Sequence, residues 1–381
     1  MHHHDYRLRH YLFLNKHLTE FYVMLSIRSF GLAMINLFLP IYFFTLRNSL
    51  FDVVALLFFT YLSMIFFFPV AAKLTSKIGA AHTMLFSAPF AVLFFGLLYF
   101  TNPLQIGIIF IGLLYGFFES FFWIGFHEEF SFASKSKKVG REVGLFRGIT
   151  IMTELLGPLI GALIIAILGF HVLFAVVVLL ILVCQIPLLL SKDIKPRQKF
   201  SLKSIYVKKH LTLFFPFVGN GAMNVSIRWF WPILLFLIIP TILDLGILAT
   251  IVNLFCISLT LVIGYKSDKI KKIKIIKIGS ILFSFSVFAR AFVRTSIAAA
   301  SAWIFGGIVW PLLDIPFESL TYAKSKRLNK LEFFVMREHA LNIGRFVILA
   351  VAFILLANTL VALTTVLMVG GILTTFYWLV K

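Results

Sequence analysis

The chain has 381 residues, of which 61% are hydrophobic and only 13% are charged, and its mean hydropathy is +1.00. A soluble domain of this size carries roughly 25% charged residues, so this composition excludes a soluble globular protein and indicates a chain that lies in lipid. The formal net charge of +20 would suggest nucleic acid as a partner of a soluble protein. Here the apolar segments leave no basic fold interleaved with aromatic residues, so nucleic acid is not an expected partner.

Apolar segments of about 20 residues, the length that crosses about 30 Å of hydrocarbon, follow one another along the chain. We predict twelve membrane spans, at residues 20–45, 51–72, 83–100, 104–126, 142–168, 170–190, 211–239, 245–264, 275–294, 297–318, 333–356 and 359–380. The most polar run, at residues 191–199, falls between the sixth and seventh spans. The sequence therefore predicts an all-α membrane protein with a six-helix bundle over 1–190, a cytoplasmic linker over 191–210 and a second six-helix bundle over 211–381.

Lysine and arginine are concentrated in alternate loops between the predicted spans, with Arg47 and Arg294 as the exceptions. Loops with this charge bias stay on the cytoplasmic side of a membrane. We therefore expect a multi-pass protein of the cell membrane with both termini in the cytoplasm. Its basic loops are expected to lie near anionic lipid headgroups.

The two halves of the chain repeat each other at an offset of about 192 residues. Pro40 in the first span matches Pro232 in the seventh, and the loop segment at 72–78 matches the segment at 264–270. Membrane proteins that consist of two like halves usually place the substrate path between them. The repeat therefore indicates a transporter with two pseudo-symmetric halves.

The repeated loop segment has a recognisable pattern of residue types. In its second copy Gly264 would allow a tight turn at the helix end, Asp268 would cap a helix or pair with a cytoplasmic arginine, and Lys269 would hold the loop in the cytoplasm. In the first copy only Lys77 and Gly79 keep the pattern. We predict that these residues gate the cytoplasmic face; the alternative is that they only set the topology.

Two six-span halves, a basic central loop and this repeated Gly–Asp–basic loop resemble the major facilitator superfamily over essentially the whole chain. The resemblance implies alternating access, with a midplane site formed mainly by spans one, four, seven and ten. In span five, Gly144, Gly157, Pro158 and Gly161 match four of six positions of the superfamily's antiporter motif, which implies export by antiport. Ordinary packing through small residues is the alternative, with Pro158 bending the helix. Span four lacks the arginine that drug antiporters of the family carry, which argues against coupling of that type.

Ionisable residues inside membrane spans are costly and usually face cavities, partners or ion pathways. We predict Glu154, beside the Gly157–Pro158 pair, as the carboxylate that binds a proton or cation. Arg28 and Arg228 lie in the first span of each half and would hold an anionic substrate group or a counter-carboxylate. A structural ion pair remains the alternative for each of these three residues.

Polar and aromatic residues complete the predicted substrate path. They are Asn36, Asn220, Asn224, Trp229 and, toward the cytoplasmic end, Asp314. Aromatic walls with few polar points suit amphipathic or drug-like substrates, although most of the 46 phenylalanines must face lipid or the core. Asp314 and Glu318 share a helix face and would form a gate.

No cofactor or metal is expected, since no phosphate-binding loop or zinc spacing occurs and the acids beside His127 diverge around a helix. Paired catalytic groups are also lacking, so the chain is not expected to be an enzyme. The sequence predicts a monomeric secondary active transporter, with proton-coupled export of small amphipathic or drug-like molecules as the first hypothesis. The alternatives are an uptake symporter or facilitator for a small polar nutrient, and a non-transporting receptor or assembly factor on the same scaffold.

Overall fold

The computed structural model describes residues 16–100, 107–133, 148, 150–190, 200–266 and 272–380, and within these ranges its regular structure is entirely helical. The helices, numbered in chain order, are α1 (Lys16–Asn36), α2 (Leu39–Thr45), α3 (Leu50–Ile78), α4 (Ala80–Phe100), α5 (Ile108–Ala133), α6 (Gly157–Val183), α7 (Gln185–Leu190), α8 (Phe214–Val225), α9 (Trp231–Ile238), α10 (Ile242–Lys266), α11 (Lys272–Arg290), α12 (Ser296–Ser325), α13 (Lys330–Ile354) and α14 (Thr359–Thr374). Short 3-10 turns cover Leu202–Ser204, Leu211–Leu213 and Thr375–Leu379.

Eight helical stretches in the described residues are long and apolar enough to cross a membrane. One of them, Thr150–Leu190, has 41 residues, is kinked at Gly169, where φ is 83°, and overlaps two of the predicted spans. Helices α10, α11 and α13 occupy three further predicted spans. Of these, α11 and α13 each carry more charged residues than any one of the eight stretches. The all-α membrane fold is confirmed, and the count of twelve spans stays a prediction.

The first and seventh predicted spans are both interrupted near their repeated prolines. The first span breaks between Asn36 and Leu39, and Pro40 lies in the first turn of α2. The seventh span passes through a π-helical turn, Ser226–Phe230, and Pro232 lies in the first turn of α9. Proline lacks an N–H group and is tolerated in the first turn of a helix, so the two halves are interrupted at matching places for the same physical reason.

The fifth predicted span bends as expected at its Gly–Pro pair. The helix before the bend ends at Glu154, and α6 begins at Gly157 with Pro158 in its first turn. Gly144, the first glycine of the predicted motif, lies outside the described residues.

The two copies of the loop motif differ from the prediction in where the chain turns. Gly79 ends α3 with a φ of 100°, directly after Lys77 in the last helical turn. In the second copy α10 continues through Gly264 to Lys266, so the turn expected at Gly264 was wrong. Gly264 is the counterpart of Ala72, which also lies inside its helix, α3. Glycine permits a turn but does not by itself end a helix. Asp268 and Lys269 lie outside the described residues.

Helices of the two halves contact each other along two seams, α3 with α13 and α6 with α10. Within the first half, α1 packs closely on α6, where a methyl group added at Gly161 would collide with the carbonyl oxygen of Met34. On the second seam, a methyl group added at Gly246 would collide with Ala162. Small residues at these crossings let the helix backbones approach, and the interior between the seams holds the candidate site.

Candidate functional site

A cavity with two lobes lies between the halves. The larger lobe has a volume of about 340 Å³ and the smaller one about 190 Å³. Both lobes are lined by Tyr115, Glu119 and Trp123 of α5, by Asn224 and Arg228, and by Trp310 of α12. The π-helical turn in the seventh span carries Arg228 and Trp229, and the interruption of the first span leaves Asn36 at the end of α1. The cavity wall thus includes residues of spans one, four, seven and ten.

All eight residues predicted for the substrate path line this cavity. The larger lobe is lined by Arg28, Asn36, Glu154, Asn224 and Arg228, and the smaller lobe by Asn220, Asn224, Arg228, Trp229 and Asp314. Asn224 donates a side-chain hydrogen bond to Asn220 one helical turn earlier, so the two amides form one polar unit. Their role in transport stays a prediction.

Arg28 forms an ion pair within the first half. Its guanidinium lies 3.3 Å from Oε1 of Glu119 and stacks over the ring of Phe122, with 3.4 Å to the ring centroid. Trp123 donates its indole N–H to Oε2 of the same carboxylate at 2.5 Å. The contact between Arg28 and Glu119 favours the alternative of a structural ion pair for Arg28. Glu119 was not predicted, although a lone acid inside an apolar span is itself a signal of a cavity residue.

Arg228 and Arg290 have no such partner. Within the described residues no carboxylate oxygen lies within 4.0 Å of either guanidinium, and Nε of Arg290 makes no hydrogen bond. Arg228 is exposed to the cavity, whereas Arg290 is only 3% exposed and stacks on Trp231, 5.1 Å from the ring centroid. That contact contributes about 0.5–2 kcal/mol, but burying an ion costs several kcal/mol. The charge of Arg290 is therefore only partly compensated.

An ionic cluster joins the halves at the basic end, the end at which α3 and α12 finish with their lysines. It consists of His127 from α5, Glu318 and Tyr322 from α12, and Arg337 and Glu338 from α13. Arg337 lies 2.8 Å from Glu318 and 3.2 Å from Glu338, and donates to Nε2 of His127 at 2.7 Å. Because Nε2 accepts this bond, His127 is neutral here and carries its proton on Nδ1, which donates to the Tyr322 hydroxyl at 2.8 Å.

His127 is the first half's member of this cluster, so its two hydrogen bonds cross between the halves. Three further contacts cross nearby: Lys330 lies 3.5 Å from Glu128, the hydroxyls of Ser131 and Ser325 are 3.3 Å apart, and Nε2 of His339 is 3.1 Å from the carbonyl oxygen of Ile65. Of the predicted gate pair, Glu318 belongs to the cluster and Asp314 lines the smaller lobe.

Arg337, Glu338 and Tyr322 were not among the site residues predicted from the sequence. The sequence contains no local signal for the contact between His127 and Arg337, because the two residues are 210 positions apart. In the described part of the chain, no group of three or more His, Cys, Asp or Glu side chains is placed to hold a metal ion.

Comparisons with known proteins agree with this architecture. The family model of the Major Facilitator Superfamily matches residues 12–327. The uncharacterized protein YqgE of Bacillus subtilis (strain 168) is 23% identical over 360 residues, which cover 88% of this chain and 81% of that protein.

Two solved structures share the fold at 10% sequence identity and 95% coverage of this chain. The human organic anion transporter MFSD10 (TETRAN) has a TM-score of 0.69 with 98% of its own chain covered, and the E. coli fucose:proton symporter FucP has 0.67 with 99% covered. At this identity the likeness carries the fold alone. The family match over most of the sequence shows that the chain belongs to the Major Facilitator Superfamily.

Proposed function

We propose that this protein is a secondary active transporter that works by alternating access and exports small amphipathic or drug-like molecules in exchange for protons. The observation that carries the proposal is a cavity between the halves, closed toward the basic end by hydrogen bonds that cross between them. Members of the superfamily are transporters rather than enzymes, which supports the class of activity.

The cavity wall suits a substrate with an apolar body and a few polar groups. Trp123, Trp229 and Trp310 supply aromatic surface, and the Asn220–Asn224 pair supplies hydrogen-bonding groups among them. Aromatic side chains provide most of the contact area in such sites, while a small number of polar groups fix the orientation. We therefore assign substrate binding to both lobes.

The transport cycle follows from where the two halves meet. With the His127 bonds intact the basic end is closed, and substrate exchanges at the opposite end. Separating His127 from Arg337 and Tyr322 would open the basic end while the seams between α3 and α13 and between α6 and α10 stay in contact. Glu154, in the wall of the larger lobe beside the bend of span five, is the proposed proton-binding carboxylate.

Two bundles, over 1–190 and 211–381 with a linker over 191–210, would be the moving bodies of one monomer in the cell membrane. The repeat of the interruptions at Pro40 and Pro232 supports this division. The basic loops support placing both termini in the cytoplasm.

An uptake symporter or facilitator for a small polar nutrient is the second candidate. The paired asparagines and the number of charged groups on the wall favour it, and a fucose:proton symporter has the same fold. A receptor or assembly factor on this scaffold would bind ligand in the same cavity without moving it across the membrane.

The test is flux in proteoliposomes that contain the purified protein, with a panel of radiolabelled amphipathic compounds and sugars. Export by antiport predicts that an amphipathic compound moves against its own gradient, opposite to an imposed proton gradient, and stops when an ionophore dissipates that gradient. Movement in the same direction as protons would establish the symporter. Ligand binding without flux for any compound would establish the receptor and overturn the transport proposal.

A further inference from the structure

The cavity contains two arginines that are not neutralised by carboxylates of the described chain. Arg228 and Arg290 both line the larger lobe, and neither has a carboxylate within 4.0 Å in the part of the protein that the structure describes. We infer that these two side chains form the binding site for a negatively charged group of the substrate, which is an organic anion with an aromatic or apolar body. This inference rests on the proposed transport function, because it names the substrate class of the same cavity.

The other arginines of the cavity show what a structural role looks like in this protein. Arg28 is paired with Glu119, Arg337 with Glu318 and Arg345 with Glu338, at distances from 2.8 to 3.6 Å. A buried arginine in a protein interior is normally paired in this way. The two arginines that depart from the pattern are therefore the ones whose partner is expected to come from outside the chain.

Arg290 is the stronger of the two observations. It is 3% exposed, its Nε has no hydrogen-bond partner, and it is the last residue of α11. The helix carboxyl end and the face of Trp231 make a cation tolerable there in the empty protein. Neither contact supplies the two parallel acceptors that a guanidinium binds best, which are the oxygens of a carboxylate or phosphate.

The surroundings of Arg290 place its guanidinium at the wall of the larger lobe. A methyl group added at Gly306 of α12 would collide with the guanidinium, so glycine at this position allows the arginine side chain to lie there. Trp303 also lines the lobe and packs edge-on against Trp231, with 6.4 Å between ring centroids. Arg228, Arg290 and Trp303 all line this lobe of about 340 Å³, a volume that holds one small molecule.

The test compares three probes that share one ring and differ in charge: phenylacetate, phenylacetamide and phenethylamine. Purified protein in detergent is titrated with each, and binding is measured by isothermal titration calorimetry and by the shift in melting temperature. We expect phenylacetate to bind at least 10-fold more tightly than the neutral amide and the amine. Equal binding of the three probes, a preference for the amine, or no binding of phenylacetate would overturn the inference.

Two variants assign any anion preference to these residues. Arg228→Gln removes a charge that faces the cavity, and Arg290→Met removes the buried one while keeping an unbranched side chain. Both should lose the preference for phenylacetate. Arg294→Gln is the matched control, since Arg294 is an exposed arginine four residues on that donates only to backbone carbonyls, and it should keep the preference.

The melting temperature of ligand-free protein gives a second, independent result. If the role of Arg290 is to bind an anion, its buried charge destabilises the ligand-free protein. The Arg290→Met variant removes that charge and should therefore melt at the same temperature as the native protein or at a higher one. A large fall in melting temperature would show a structural role and overturn the assignment of Arg290. These measurements do not depend on flux, so they separate this inference from the transport proposal. Anion binding by a protein that transports nothing would support the anion site and reject the transport proposal. Flux of neutral compounds only would support the transport proposal and reject the anion site.

Discussion

Replacing His127 with phenylalanine should open the basic end of the cavity. The substitution keeps an aromatic ring, which can still stack on Phe334, where the ring centroids are 4.6 Å apart. It removes the two hydrogen bonds that cross between the halves, at 2.7 Å to Arg337 and 2.8 Å to Tyr322. Arg337 keeps both of its carboxylates within its own half, so the loss falls mainly on the contact between the halves.

The size of the effect follows from the type of each bond. A hydrogen bond to a charged group contributes about 1.5–3 kcal/mol and a neutral one about 0.5–1.5 kcal/mol, so the two together contribute about 3 kcal/mol. At 1.36 kcal/mol per factor of ten, this shifts the equilibrium between the closed and open basic end by about 150-fold. His171→Phe is the matched control, because His171 is exposed and bonds to the carbonyl of Tyr99 within the first half.

The assay uses Ser131 and Ser325, whose hydroxyls lie 3.3 Å apart across the halves at the basic end. With the buried native cysteines replaced, Ser131→Cys and Ser325→Cys together should form a disulfide that stops transport until it is reduced. His127→Phe should slow this cross-link and make the cysteine at 131 reactive toward a water-soluble maleimide. Unchanged cross-linking and labelling in folded His127→Phe protein would refute the gating role of this histidine.

Glu154→Gln should abolish gradient-driven accumulation in proteoliposomes while substrate binding persists; undiminished accumulation would leave Glu154 with a structural role. Gly161→Ala should lower the melting temperature, since the methyl group meets the backbone of α1 and overpacking costs about 1–3 kcal/mol. Gly96→Ala, in a helix with nothing within 4 Å, should raise it slightly, so equal shifts would contradict the packing argument. A cysteine at Asn358 should react with an impermeant reagent on intact cells and one at Lys326 should not; the opposite result would invert the topology.

The sequence was sufficient for the helical fold and for eight of the residues that line the cavity. Hydropathy locates segments that must lie in lipid, and the matched prolines at 40 and 232 mark interruptions that the structure contains. A polar or charged side chain within such a segment has to avoid hydrocarbon, so Arg28, Glu154 and Arg228 were expected inward, and they line the larger lobe.

The choice of partners could not be predicted, because it depends on how distant helices are placed. Arg28 pairs with Glu119, which lies 91 positions later in the sequence, and His127 accepts a hydrogen bond from Arg337, 210 positions later. Local patterns also misled at Gly264, where a turn motif was expected and the helix continues for two more residues. Glycine permits a turn but does not cause one, since tertiary contacts decide whether the helix goes on.

The crossing of α6 and α10 has a mechanical consequence. Gly246 faces Ala162 and the carbonyl of Pro158, so the two helices touch through hydrogen atoms, a methyl group and backbone. Large side chains at a helix crossing interlock as ridges in grooves, and any rotation must lift one past the other. Gly246 and Ala162 have little side chain to interlock, so we expect a small change in the crossing angle of α6 and α10 to cost little free energy. In the proposed transport cycle, this crossing would therefore resist the motion of the halves less than the hydrogen bonds of His127 at the basic end.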